Sequence, residues 1–332
     1  MIVRPTLAQL EAGIVAGDRA LLARAITLIE STRPADQAAA RELLERVLPR
    51  SGSALRVGIT GVPGVGKSTF IEALGKRLTA QRTKVAVLAV DPSSTRSGGA
   101  ILGDKTRMHE LARDPLAFVR PSPSRGSLGG VARRTREVML LCEAAGYEVV
   151  LVETVGVGQS ETMVAGMVDF FLVLMLANAG DELQGIKRGI LELADMVVIN
   201  KADGEHVQAA REARIEYARA LHLMPQKSPS WTPPVLTCSG LRDEGVAEIW
   251  AAIEDYRARM DASGEWQTQR AGQRVDAMWR SIEWGLIEAF RGDPVLRERV
   301  AALEQQVRAG TVAPDHAAHE LLERFHPAAT HR

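Results

Sequence analysis

Eight consecutive residues have the types and spacing of a loop that binds phosphate groups: Gly61, Val62, Pro63, Gly64, Val65, Gly66, Lys67 and Ser68. An apolar run at 57–59 precedes this loop, and a helix-favouring run at 69–74, which starts with Thr69, follows it. We therefore expect a strand, a glycine turn and a helix start, in which backbone N–H groups surround a phosphate. Lys67 would contact the outer phosphates, the Ser68 hydroxyl would bind Mg²⁺, and Thr69 would complete the nucleotide contacts. A glycine-rich turn that matches by chance is the alternative, and the strand-to-helix context disfavours it.

Acidic residues that could complete a magnesium site follow other predicted strands. Asp91 follows the apolar run 85–90, and Glu153 follows the run 149–152. Parallel strands bring their carboxyl ends to one edge of a sheet, and Mg²⁺ prefers hard oxygen ligands. We expect both carboxylates to bind the ion directly or through its waters, with a helix-capping role as the alternative for each. Asp104, in a glycine-rich stretch, would join these metal ligands when its loop closes.

The glycine three residues after Glu153 has a separate predicted role. Gly156 would donate its backbone N–H to the γ-phosphate, a contact that distinguishes a triphosphate from a diphosphate. Lys67, Glu153 and Gly156 are thus the predicted catalytic set. The sequence does not identify the group that positions the attacking water. Gln159 and the arginines between 120 and 136 are candidates, and we expect slow intrinsic turnover.

The choice of base is predicted by an N-K-x-D motif that follows the apolar run 196–199. Asp203 would accept hydrogen bonds from N1–H and the amino group of guanine, Lys201 would lie over the base plane, and Asn200 would brace the motif. Adenine lacks this pair of donors, so the motif predicts GTP and GDP as ligands. The pattern alone is common, but after a phosphate loop and an E-x-x-G it indicates a GTPase. A loop at the last predicted strand end would support the guanine O6 through its backbone: Ser239, Gly240 and Leu241.

Short apolar runs alternate with helical segments across the middle of the chain: 57–59, 85–90, 149–152, 170–176, 196–199 and 235–237. Continuous apolar strands are buried on both faces of a sheet, and helices must cover those faces. The fold class is therefore predicted as α/β, a P-loop NTPase with a mostly parallel central sheet flanked by helices.

Both ends of the chain show helical spacing of apolar residues instead of strands. We expect an N-terminal helical extension at 1–50, a G domain at 51–258 and a C-terminal helical arm at 259–332. The arm carries an apolar stripe that would pack either on the preceding domain or on a second copy of the chain. The stripe includes Met278, Ile282, Leu286 and Phe290.

Composition narrows the partners and the compartment. The 332 residues contain 41 Lys and Arg against 41 Asp and Glu, so no strong overall charge favours nucleic acid or an anionic membrane as a partner. The two cysteines, Cys142 and Cys238, are far apart and have no metal-binding spacing. The N-terminus lacks a signal-peptide pattern, and no apolar run is long enough to span a membrane. We expect a cytoplasmic protein.

Three segments together resemble one family of GTPases: DPSST at 91–95, ETVGVGQS at 153–160 and DELQGIK at 181–187. The family is the MeaB/MMAA type, earlier labelled ArgK or LAO/AO transport ATPases, which chaperones adenosylcobalamin-dependent methylmalonyl-CoA mutase. The resemblance covers essentially the whole chain and is strongest in the middle domain. It is weakest in the tail after residue 291.

The resemblance implies a G domain of the SIMIBI type and a homodimer joined through the C-terminal arm. It also implies a nucleotide-gated complex with the mutase, in which the GTPase protects the cobalamin cofactor or gates its loading. In the family, the segment 181–187 belongs to a further switch that communicates the nucleotide state. Carried over to this sequence, that role would fall on Asp181, Gln184 and Lys187.

Two other functions stay open at this point. A nickel-inserting GTPase for hydrogenase or urease would need a metal store rich in His or Cys, and the seven His are scattered. A kinase or ATPase of an amino-acid transport system would need a docking site and an acceptor base, neither of which is visible in the sequence. Methylmalonyl-CoA mutase is the favoured partner, with isobutyryl- or ethylmalonyl-CoA mutases as alternatives.

Overall fold

The computed structural model describes residues 4–90, 108–120, 128–154, 160–177 and 184–325, and for 128 and 184–188 it describes the backbone alone. Within these residues there are seven strands: β1 (Leu55–Gly61), β2 (Val85–Val90), β3 (Ala117–Arg120), β4 (Val149–Thr154), β5 (Phe170–Met175), β6 (Met196–Ile199) and β7 (Val235–Thr237). They form one sheet in the order β3-β2-β4-β1-β5-β6-β7. Every neighbouring pair is parallel, which confirms the predicted fold class.

The strand order places β1 between β4 and β5, at the topological switch point of the sheet. After β1 the chain adds β2 and β3 on one side, and it later adds β5, β6 and β7 on the other side. Such a switch leaves a crevice at the carboxyl ends of the central strands. All residues of β2, β4 and β5 are buried, as expected of parallel strands that helices cover on both faces.

Helices up to the end of the sheet region number ten within the described residues: α1 (Leu7–Val15), α2 (Arg19–Glu30), α3 (Pro34–Val47), α4 (Lys67–Ala80), α5 (His109–Arg113), α6 (Leu128–Ala144), α7 (Ser160–Ala165), α8 (Gln184–Leu193), α9 (Val207–His222) and α10 (Val246–Ser263). Helices α4, α5 and α10 share one buried cluster with Val57 and Ile59 of β1. The remaining helices share the other buried cluster with Val150 and Val152 of β4. Two helical layers therefore enclose the sheet. Among the described residues, no helix combines the length and apolar content needed to cross a membrane.

The three N-terminal helices are fixed by local caps and by packing. Thr6 forms a capping box at the start of α1, and the Asp18 side chain accepts hydrogen bonds from the first backbone N–H groups of α2. Their apolar faces contribute Leu10, Ile26 and Leu43 to the buried cluster that contains α6. The three N-terminal helices are thus part of the layer on one face of the sheet.

Two features of the sheet differ from the sequence-based expectation. Strand β3 was not predicted, because its four residues include Arg120 and it lies at the sheet edge, where a long apolar run is not required. Strand β4 continues through Thr154, so Glu153 lies in the strand instead of after it. Glu153 pairs in register with Ile59 of β1, and this register holds its backbone beside the central strand.

The chain after α10 is helical: α11 (Glu265–Gly292), α12 (Pro294–Arg308) and α13 (Pro314–Arg324). The structure divides into two compact units, one up to Gln273 and one from Arg274, so the division falls inside α11. In the second unit, Arg299 of α12 makes a bidentate ion pair with Glu320 of α13, at 2.7 and 2.8 Å.

The first turns of α11 are joined to the amino-terminal edge of the sheet by a buried ion pair. Arg270 donates from Nε and Nη2 to the two carboxylate oxygens of Asp169, at 2.7 and 2.6 Å. It also donates to the backbone carbonyls of Gly52 and Ala54, which precede β1. The Trp266 ring lies 4.6 Å from the guanidinium carbon. Arg270 is 4% exposed, and each of its three guanidinium nitrogens therefore donates at least one hydrogen bond inside the protein.

Replacing this arginine should destabilise the protein strongly. Arg270→Ala leaves the buried Asp169 carboxylate without its cation, and we expect a loss of about 3–5 kcal/mol in the free energy of unfolding. Urea denaturation of the full-length chain measures the loss. Arg259→Ala, which removes an exposed pair with Asp255 on one helix, should cost less than about 1 kcal/mol. Equal losses in the two variants would contradict the role assigned to Arg270.

Candidate functional site

The predicted phosphate loop, residues 61–68, joins the end of β1 to the start of α4. Gly66 has a φ of 95° and immediately precedes α4 without a side-chain cap, so the first N–H groups of that helix are left for another acceptor. A Cβ on Gly66 would lie 2.8 Å from Asn200 Nδ2. Glycine is thus required there both by the left-handed backbone and by the close approach of Asn200.

The two polar side chains at the start of α4 contact the ends of β1 and β4. Lys67 Nζ donates to the Gly61 carbonyl at 2.7 Å, so the lysine side chain folds back across the loop. Ser68 Oγ donates to Glu153 Oε1 at 3.0 Å. Glu153 is 4% exposed, although it carries a carboxylate. A hydroxyl and a buried carboxylate therefore lie side by side at the carboxyl edge of the sheet.

Asn200 connects three segments that are distant in sequence. Its Nδ2 donates to the Val65 carbonyl of the phosphate loop at 2.8 Å. Its Oδ1 accepts from the Gly240 backbone N–H at 3.1 Å and from Cys238 Sγ at 3.2 Å. The side chain is buried, so these bonds are not exchanged with water. This one amide fixes the distance between the N-K-x-D motif, the phosphate loop and the loop after β7.

The thiol that contacts Asn200 remains protonated. Burial raises the pKa of Cys238 to about 12, so the thiol keeps its hydrogen at neutral pH and can donate it to Asn200. The sequence did not single out this contact. A cysteine in an apolar strand end is ordinarily a packing residue, and its partner is 38 positions away in the chain.

Lys201 and Asp203, the other two specified residues of the motif, are more exposed to solvent than Asn200. Lys201 is exposed and has a φ of 59°, a left-handed conformation that is uncommon for a residue with a side chain. Asp203 Oδ2 accepts from Ser239 Oγ at 3.0 Å and pairs with Arg242 Nε at 3.3 Å. We name residues 239–245 the base loop, because three of them were predicted to face guanine.

The base loop also packs on α4. A Cβ on Gly240 would lie 3.0 Å from the Phe70 Cα, so this glycine lets the loop approach the helix closely. Leu241 is 82% exposed. A surface cavity of roughly 680 Å³ opens between α4 and the base loop, with Thr69, Gly240 and Leu241 among its lining residues. Because the outer face of α4 forms much of its wall, this cavity lies beside the predicted nucleotide site.

Several predicted residues lie outside the described part of the chain. These are Asp91, Asp104, Gly156, Gln159 and Asp181, together with the side chains of Gln184 and Lys187. Within the described ranges, no group of three or more His, Cys, Asp or Glu is arranged to hold a metal ion. Two oxygen donors that do lie together at the phosphate loop are the Ser68 hydroxyl and the Glu153 carboxylate.

Two arginines that hold the base loop were not predicted from the sequence. Arg242 pairs with Asp203, and Arg77 of α4 pairs with Asp243 at 2.7 Å. Each pair joins residues 39 or more positions apart, and an arginine on an exposed surface has no pattern that reveals such a partner. The only available signal was the position of Arg242, directly after the predicted base-contacting residues.

This chain is similar to several known proteins along most of its length. A family model described as Methylmalonyl Co-A mutase-associated GTPase MeaB matches residues 22–294. A putative GTPase of Caulobacter vibrioides is 55% identical over 325 residues, which cover 98% of this chain and 99% of that protein. The mitochondrial methylmalonic aciduria type A homolog of Mus musculus is 48% identical over 327 residues, which cover 96% of this chain and 79% of that protein.

A solved structure is similar along almost the whole chain. The crystal structure of a LAO/AO transport system kinase is 41% identical, with a TM-score of 0.76, and the match covers 97% of this chain and 98% of that chain. The resemblance noted in the sequence is confirmed by these matches.

A change at Asp203 tests the predicted base contact. Asp203→Asn should weaken GTP binding and allow xanthosine triphosphate to bind, because an amide can donate to the O2 of xanthine whereas a carboxylate cannot. Equilibrium titration with both nucleotides measures the change. Tight GTP binding by the variant, or equal binding of ATP and GTP by the unmutated protein, would contradict the assignment.

Proposed function

This chain is a GTPase of the methylmalonyl-CoA mutase-associated family, and we propose that it uses GTP hydrolysis to gate cofactor loading of an adenosylcobalamin-dependent acyl-CoA mutase and to protect that mutase. Methylmalonyl-CoA mutase is the favoured partner. The structural observation that supports the proposal most directly is the Asn200 side chain, which joins the phosphate loop to the base loop. A single residue thereby sets the distance between the groups proposed to hold the phosphates and those proposed to hold the base.

The proposed roles follow from the contacts. Residues 61–69 hold the phosphates, with Lys67 neutralising the negative charge that develops on the transferred phosphoryl group. Asn200, Lys201 and Asp203, with the backbone of 239–241, hold guanine. Glu153 and Gly156 complete the proposed catalytic set. The charge and placement of Lys67, across the opening of the loop, support its role.

Mg²⁺ fits the donor set next to the phosphate loop. Ser68 Oγ and Glu153 Oε1 are 3.0 Å apart, and both are hard oxygen donors of the kind that Mg²⁺ prefers. Asp91 and Asp104 are the further proposed ligands. When bound, the ion would neutralise charge on the phosphate oxygens. The buried position of Glu153 suits a carboxylate that has a cation as a neighbour.

The proposed partner rests on the family. The family description names methylmalonyl-CoA mutase, and the mouse relative is named after methylmalonic aciduria. These names favour a mutase over a nickel enzyme or an amino-acid transport system. A GTPase with slow intrinsic turnover can act as a timer, because the lifetime of its triphosphate state then depends on the bound partner. The cytoplasmic location predicted from the sequence is part of the same proposal.

Binding to the mutase should depend on the nucleotide. With a non-hydrolysable GTP analogue, the full-length protein should retain purified methylmalonyl-CoA mutase in a pull-down, and the affinity should differ between the analogue and GDP. Lys67→Ala should lose this difference, because the lysine is the proposed phosphate contact. Arg214→Ala, on the exposed surface of α9, is the matched control. Failure of the mutase to bind in either nucleotide state would contradict the proposed partner.

We also propose that the protein is a homodimer. Its proposed domains are an N-terminal helical extension at 1–50, a G domain at 51–258 and a C-terminal helical arm at 259–332 that joins the two copies. Helix α11 exposes an apolar stripe whose members recur every three or four residues. Its exposed residues are Val275, Met278, Trp279, Ile282, Leu286 and Ile287. A continuous exposed stripe of this kind marks an interaction surface. It supports burial against the same stripe of a second copy.

A charge in the stripe should prevent dimer formation. Ile282→Glu would bury a carboxylate in the proposed interface, so we expect a dimer for the unmutated protein and a monomer for this variant in sedimentation equilibrium at micromolar concentration. Arg280→Glu places the same side chain about 200° away around the helix and should leave the dimer intact. A monomeric unmutated protein would contradict the proposal.

A further inference from the structure

The Asp203 carboxylate is held on one side by the base loop. Its Oδ2 accepts a hydrogen bond from Ser239 Oγ at 3.0 Å and pairs with Arg242 Nε at 3.3 Å. The backbone N–H of Arg242 donates to the same Ser239 hydroxyl at 3.2 Å. The Arg242 side chain therefore contacts Oδ2 directly, and the Arg242 backbone holds the Ser239 hydroxyl that donates to the same oxygen. Among the described residues, no hydrogen bond reaches the other oxygen, Oδ1.

The backbone that carries Arg242 is itself fixed. Ser239 and Glu244 exchange backbone hydrogen bonds at 2.9 and 3.2 Å, which close the loop around Arg242. Asp243 has a φ of 57°, and its carboxylate pairs with Arg77 of α4 at 2.7 Å. The loop is therefore attached at its neck and at the residue next to Arg242. An arginine on such a support has fewer arrangements to lose when it pairs with Asp203.

We propose that Arg242 is a specificity-determining positioning residue, which fixes the plane of the Asp203 carboxylate for two-point recognition of guanine. This inference rests on the proposed function, in which Asp203 accepts hydrogen bonds from the base. Arg242 does not act on the phosphates. It acts on the base through Asp203.

The chemistry of the bases makes this role measurable. Guanine offers two donors to a carboxylate, N1–H and the amino group, and both bonds form well only when the carboxylate plane is correct. Hypoxanthine offers N1–H alone, so one oxygen in any plane can accept it. Loss of orientation at Asp203 should therefore weaken GDP more than IDP. A general loss of folding would weaken both nucleotides alike.

The size of the effect is set by exposure. The Arg242 side chain is 57% exposed, and ion pairs at exposed sites correspond to about a two- to fivefold change in an equilibrium constant. Salt screens such pairs, so the effect should shrink as ionic strength rises. Stability of the fold should change little.

The experiment measures the dissociation constants of GDP and IDP by titration calorimetry on the full-length protein. Arg242→Ala should reduce the preference for GDP over IDP by about two- to fivefold at low salt and by less at high salt. Arg242→Lys keeps the charge but lacks the Nε atom that pairs with Asp203, so its preference should fall between those of the unmutated protein and Arg242→Ala. Arg214→Ala, another exposed arginine, should leave the preference unchanged. Thermal unfolding of each variant verifies that the fold is intact.

The outcomes separate this inference from the proposed function. An unchanged GDP preference in Arg242→Ala, or an equal loss in Arg214→Ala, would overturn the role of Arg242. Tighter GDP binding in Arg242→Ala would also overturn it, because the arginine would then compete with the base for Asp203. If Asp203→Asn gains xanthosine diphosphate while Arg242→Ala is unchanged, only the present inference fails. If Asp203→Asn keeps its guanine preference, the assignment of the base site itself fails.

Discussion

The hydrogen bonds of the Asn200 side chain are the constraint on which the candidate site depends. The amide is buried and uses both ends, donating to Val65 of the phosphate loop and accepting from Gly240 and Cys238. A buried amide that loses one partner has no water to replace it, so each of these segments is held by the others. The absence of a side chain at Gly66 gives the amide its space. The loops at the sheet edge are therefore positioned by one another as well as by the strands that carry them.

The opposite edge of the sheet is held by charge instead of by a neutral amide. Asp169 lies just before β5, and Arg270 reaches it from α11 while also contacting carbonyls that precede β1. The two central strands thus begin at one buried ion pair and end beside one buried amide. The ion pair holds one end of β1 and β5, and the amide holds the other end. The backbone of these two strands therefore has little freedom to shift. This arrangement suits a site in which distances between distant segments must be kept.

The sequence predicted the elements of the site better than the contacts between them. Apolar runs and glycine spacing were sufficient for the parallel sheet and for the loop before α4, because these depend on local composition. Strand β3 was missed because a four-residue edge strand with an arginine has no continuous apolar pattern. The pair of Arg242 with Asp203 and the burial of Arg270 were missed for another reason. An arginine is expected at the surface, and only the tertiary fold reveals which acid it meets.

The two buried cysteines can report transient opening of the two layers that cover the sheet. Cys142 lies in the helical layer that contains the N-terminal helices, and Cys238 lies in the layer that contains α4. Both thiols are buried, and burial raises the pKa of each, so neither reacts as a thiolate while the layers are closed. The rate of alkylation at each cysteine therefore reports how often the layer around that cysteine opens to solvent. Peptide mapping of the alkylated cysteines would then report the opening of the two layers separately, without any engineered residue.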